Sequence, residues 1–131
     1  MITSQVYQSI STSELARVVE ACGFISEVDE SGGKQRVWIT VAGRVTLASI
    51  IGPDRSPASL ILLMGTMDQQ TNAEHANAYN LAIANWCTVY VDEGRPMIVM
   101  PIDVNGITRH NLATKMYHWE FGVTEFQRHF R

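Results

Sequence analysis

Two cysteines in 131 residues, Cys22 and Cys87, are too few for a disulfide framework. A single bridge between them would need a geometry that spacing alone does not supply, so the plain reading is two reduced, buried thiols. No run of eighteen or more apolar residues occurs, which argues against a membrane partner. The opening Met1-Ile2-Thr3-Ser4-Gln5 lacks both the basic and the apolar regions of a signal peptide, and a cytoplasmic location is expected. Positive charge is not in excess either: 10 Lys and Arg stand against 13 Asp and Glu, a net charge of -3 with a pI near 5.7. Duplex-binding surfaces are usually basic, so nucleic acid is not an expected partner. Cys-x-x-Cys and His-Glu-x-x-His are both absent, and Gly32-Gly33-Lys34 lacks the spacing and hydroxyl of a phosphate loop. No metal or cofactor is therefore expected.

What remains is ordinary globular material, 46% apolar and 18% charged, enough for one domain over residues 1–131 with one core. Ser11-Thr12-Ser13-Glu14 is a capping box, in which the serine hydroxyl and the glutamate each satisfy a free amide of the first turn. Leu15, Val18, Val19 and Cys22 follow as one apolar stripe, and Gly23 suits the left-handed residue that ends a helix. The period then changes to two. Residues 24–29 read as a short strand, and Arg36-Val37-Trp38-Ile39-Thr40-Val41 alternates, with Val37, Ile39 and Val41 on one face. Gly43 marks a turn before residues 45–51, and Gly52-Pro53-Asp54-Arg55-Ser56-Pro57 reads as a loop. The unbroken run Leu60-Ile61-Leu62-Leu63-Met64 suits a strand covered on both faces.

Residues 71–86 are helical in pattern, opened by a second capping box at Thr71-Asn72-Ala73-Glu74, with Ala76, Tyr79, Ile83 and Trp86 at helical spacing. Residues 87–103 hold two strands around Glu93-Gly94-Arg95, a turn too short to join parallel neighbours. Pro101 cannot donate to a ladder and is expected at an edge or a strand end. After the Asn105-Gly106 turn, Thr108 caps a helix over 108–130 whose Leu112, Met116, Trp119, Val123, Phe126 and Phe130 form one seam. Gly122 within that seam costs about 1 kcal/mol of helix propensity, which implies close approach by another group. The fold class expected is α+β in two layers: an antiparallel sheet in the order α-β-β-β-(β)-α-β-β-α, with helices mainly on one face.

This order, the asparagine-bearing helix (Asn77, Asn80), the Val89-Tyr90-Val91-Asp92-Glu93-Gly94 strand and turn, and Gly106-Ile107-Thr108 before the last helix resemble the YbjN-like family. Those proteins are bacterial sensory transduction regulators, and the outline is also similar to the type III secretion chaperones. The resemblance is best over residues 73–130, with Gly23-Phe24 as the best match in the first half. It implies a noncatalytic domain, often dimeric, in a regulatory or chaperone-like role.

No group of residues rises to a reaction centre. His110 and His118 are eight apart on the last helix, whereas a helical zinc pair uses a spacing of three or four, and His75 and His129 are distant in sequence. Cys22 and Cys87 look like small core hydrophobes. Asp29, Glu30, Asp92 and Glu93 flank turns, where carboxylates accept local amide bonds. Methionine is more suggestive, because Met-rich faces adapt to varied partners, although core filling explains Met64, Met67, Met97, Met100 and Met116 as well. The expectation is accordingly an adaptor that binds an unknown protein partner as a homodimer, with Trp38, Met64, Met97, Val99 and Met100 as candidate contact residues. The alternative is a small-ligand sensor whose pocket lies between the sheet and the last helix, lined by Trp38, Trp86 and Trp119.

Overall fold

The capping box at Ser11 is complete on both sides. Ser11 Oγ accepts from the Glu14 amide and Glu14 Oε1 accepts from the Ser11 amide, each at 3.1 Å, and helix α1 runs Thr12–Ala21. These coordinates are a computed structural model, and they describe residues 5–52, 60–83 and 86–131. Cys22 caps α1 and Gly23 turns the chain at a φ of 91°, so the periods of 3.6 and 2 meet where the sequence implies. Strands β2 (Ile25–Asp29), β3 (Arg36–Val41), β4 (Arg44–Ile51) and β5 (Leu60–Thr66) follow. Helix α2 (Ala73–Ala82), the hairpin of β6 (Thr88–Asp92) and β7 (Arg95–Asp103), and helix α3 (Arg109–His129) complete the main body. The loop expected at residues 53–57 lies outside the described residues.

The six strands lie in the order β2-β3-β4-β5-β7-β6, every neighbour antiparallel, and the fold is α+β. Tight two-residue turns at Ala42-Gly43 and Glu93-Gly94 take positive φ at both positions, the twist that lets adjacent antiparallel strands stay paired. Two short strands absent from the expected order, β1 (Val6–Tyr7) and β8 (Ile107–Thr108), form a separate antiparallel ribbon at the start of α3. No helix among the described residues is long and apolar enough to cross a membrane.

Two expectations need correction, and that for Pro101 is met in an unexpected place. Helix α2 is shorter than the 71–86 pattern: Asn72, not Thr71, is its cap, with Asn72 Oδ1 accepting from the His75 amide at 2.9 Å, and Ile83 already has extended backbone. Pro101 lies inside a central strand, yet β6 pairs with β7 only as far as Val99, so the proline occupies a local edge with no donor missed. The run 60–64 is not covered on both faces. Ile61 and Leu63 are fully buried, while Leu60, Leu62 and Met64 are only half-buried.

One sheet face carries the core. Val37, Ile39, Val41, Ala48, Ile61, Leu63, Ile98 and Met100 point into it, and all six seam residues of α3 are buried against them. Room for α3 comes from small residues on the sheet. Trp119 Nε1 donates to Thr46 Oγ1 at 3.0 Å, Thr46 Oγ1 donates to the Ile39 carbonyl at 2.9 Å, and Ala48 is the next inward residue on β4. Gly65 completes the recess, since a Cβ there would stand 3.2 Å from Ile98 and 3.3 Å from Thr46. Strand β4 therefore carries a threonine and an alanine where a covered sheet normally carries its larger side chains.

Candidate functional site

Large side chains also point the other way. Register places Glu27, Trp38, Leu47, Met64, Val99 and Thr88 in one row across all six strands, on the face opposite the helices. A second row holds Asp29, Arg36, Ser49, Leu62 and Pro101. Val45, Ile51 and Tyr90 are exposed on the same face, Val45 to 61%. Antiparallel sheets with one wet face ordinarily alternate apolar inward and polar outward. Here Trp38, Leu47, Leu62, Met64 and Val99 make the middle of the uncovered face apolar, while Arg36, Thr40, Ser49 and Thr88 frame it.

Trp38 is held in place on this surface. Its indole donates to Asp29 Oδ2 at 3.2 Å, and Arg36 Nη2 pairs with the same oxygen at 3.3 Å. Asp29 Oδ1 accepts from the Ser31 hydroxyl at 2.6 Å and from the Ser31 amide at 3.0 Å. The Ser31 bonds, then the Trp38 bond and the Arg36 charge, lower the Asp29 carboxyl from an ordinary 3.8 to about 2. A carboxylate favoured in the folded state stabilises it above its unfolded pKa, and that contribution fades as pH falls through the folded value. The difference in melting temperature between the native protein and Asp29→Asn is thus expected to stay constant above about pH 4 and to close as pH approaches 2. A pH series of paired thermal melts measures it; a gap that persists undiminished at pH 2 would contradict the network.

Of the five candidate contact residues, Trp38, Met64, Met97 and Val99 share this open face, half-buried. Met100 does not. It is 2% exposed in the core, because an odd step from Met97 or Val99 crosses to the other side of a strand. Leu47 and Leu62, missed as contact residues, occupy the middle of the patch. Their signals were the contrast on β4 between inward Thr46 and Ala48 and outward Leu47, and on β5 the unbroken apolar run 60–64.

The pocket expected between the sheet and the last helix is not formed by the three tryptophans. Trp119 is wholly buried in the core, Trp38 lies on the opposite face of the sheet, and Trp86 is 52% exposed. Trp86 instead stacks on His118 at 3.4 Å with an interplanar angle of 2°. Burial and the Lys115 charge hold His118 below its ordinary pKa, which favours the neutral ring. Tyr117 and Phe121, both half-exposed, give α3 a smaller aromatic strip, and Tyr117 packs edge-on to Phe24 at 5.9 Å.

The thiols and histidines that are described have structural surroundings. Burial raises both thiols, Cys87 to about 12, so neither is poised as a thiolate. Histidines 75 and 129, far apart in sequence, meet with ring centroids 4.4 Å apart, and a ring nitrogen of His129 stands 2.9 Å from the His75 carbonyl oxygen. Among the described residues, no three of His, Cys, Asp or Glu gather as a metal would require. No protein-family model matches the sequence, and no curated protein matches it either.

Proposed function

We propose that this protein is a noncatalytic adaptor of the chaperone-like kind, a homodimer that holds a segment of another protein. The observation that carries the proposal is the apolar row Trp38–Leu47–Met64–Val99 across four neighbouring strands, on a face that none of the described helices covers. An apolar centre within a polar frame is the anatomy of a protein contact surface. The second copy is the occupant of this face. Six strands at their usual spacing span about 24 Å, and six residues of strand about 20 Å, so two such faces bury on the order of 1,000 Å². That reaches the lower bound for a specific interface. Two sheets facing each other about 10 Å apart would interdigitate these rows as a sandwich does. Side chains of both charge signs at the rim, Arg36 and Asp103 among them, suit a twofold contact that meets itself.

Met64→Lys and Leu47→Lys are expected to halve the mass measured by light scattering at micromolar concentration. Both side chains are only half-buried in the single chain, so the far-ultraviolet circular dichroism should stay unchanged. A native mass near that of one chain would remove the homodimer from the proposal.

A further inference from the structure

The sheet ends in two edge strands, and they are finished differently. At β6, Asn80 of helix α2 imitates a missing neighbour: its Nδ2 donates to the Val89 carbonyl at 2.8 Å, and its Oδ1 accepts from the Val89 amide at 2.9 Å. Helix α2 contacts this strand much as α1 contacts β2, so the side-chain cap on Val89 is what sets the β6 edge apart. At β2, among the described residues, no group outside the ladder with β3 bonds to the backbone of Ile25, Ser26, Glu27 or Val28. Ile25 is 71% and Val28 41% exposed beside those open groups.

The charge at β2 says what fits there. Glu27, Asp29 and Glu30 follow one another with no Lys or Arg between them. Asp29 is neutralised by Arg36, but Glu27 meets no cation among the described residues. Edge strands commonly carry charge to prevent self-pairing. Two copies of β2 paired antiparallel about Glu27 would place Glu27 opposite Glu27, which is repulsive. The same charge attracts a strand of opposite sign.

We propose that β2 is the docking edge for the held segment: an extended, basic stretch of a partner protein adds to it as a seventh strand. Its Lys or Arg residues lie beside Glu27 on the open face, where their aliphatic stems also cover Ile25, and its apolar residues flank Val28 on the other. Main-chain bonds supply affinity and the side-chain pattern supplies selectivity, the usual division in strand addition. This rests on the adaptor reading above but uses a different surface from the one assigned to the second copy.

The test uses a fluorescein-labelled octapeptide of alternating valine and lysine, titrated into the whole protein by fluorescence anisotropy, with amide hydrogen exchange locating the contact. Binding should slow exchange in β2. Glu27→Lys should weaken binding by about tenfold or more, since it puts like charges together. Asp92→Lys, the same change of charge on the capped β6 edge, should leave it unchanged, and a valine–glutamate peptide should not bind. Equal affinity for Glu27→Lys, or protection outside β2, overturns the assignment. If the valine–lysine peptide fails to bind while light scattering reports two chains, the edge inference falls and the homodimer stands. If β2 is protected in a protein with the mass of one chain, the homodimer falls and the docking edge stands.

Discussion

Trp119→Ala is expected to unfold the protein rather than to alter any binding it performs. The side chain is fully buried, and its indole nitrogen ends a short relay through Thr46 to the Ile39 carbonyl. Large-to-small changes at such sites cost about 3–5 kcal/mol, because the neighbours collapse only partly into the void. A small domain has about 5–15 kcal/mol in all, so the loss would remove much of its stability. Phe126→Ala, equally buried one seam position on from Val123, should behave alike. Urea melts followed by tryptophan-independent circular dichroism measure both. Unchanged midpoints would place the seam outside the core.

Gly122→Ala should also destabilise, against the direction that helix propensity alone implies. Alanine gains about 1 kcal/mol over glycine inside a helix. At position 122, however, the added Cβ would fall within the van der Waals shell of Cys87 Sγ and 3.3 Å from Cys87 Cβ. The same glycine's carbonyl accepts from the Tyr79 hydroxyl at 3.0 Å, so shifting the helix to relieve the clash strains a buried bond. Overpacking of this kind costs about 1–3 kcal/mol, which wins over the propensity gain. Cys87→Ala removes the sulfur from the clash, and the double variant Gly122→Ala with Cys87→Ala should recover part of the loss. Calorimetry of the four proteins in that cycle decides it, and strict additivity would show that the two positions do not touch.

Features written in neighbouring residues were the legible ones. The Ser11–Glu14 box, the alternation of β3 and the stripe of α3 each need only a few positions, and each stands as read. Even the glycine of α3 announced a close neighbour, although only the fold identifies it as Cys87. Helix α2 was harder. Its apolar spacing continues to Trp86, but the helix stops at Ala82 and Trp86 spends its ring on His118, a partner supplied from α3. Period two alone assigns Met100 to the opposite face from Met97 and Val99, so that candidate failed a test the residues themselves contain.

The open face was legible only in fragments. Trp38, Met64 and Val99 belong to three strands, and nothing local says that they share a row; that needs the register between β3, β4, β5 and β7. The run 60–64 misled because a strand apolar on both sides reads as doubly covered. One cover is α3, and among the described residues no helix covers the other side. The edge at β2 and the amide cap at Val89 depend on which strand lies last, which topology alone decides.

The ribbon of β1 and β8 bears on the order of events during synthesis. Val6 and Tyr7 pair with Thr108 and Ile107, and Gln5 accepts from the Arg109 amide at 2.7 Å, so early residues finish the start of the last helix. Closing a loop about a hundred positions long costs roughly 4 kcal/mol of chain entropy, which two residue pairs cannot supply alone. The clasp can close only once the sheet has brought its halves together. On the ribosome, Val6 and Tyr7 emerge about a hundred residues before their partners and wait for them. During that interval Tyr7, buried in the finished protein, stays accessible to cellular chaperones.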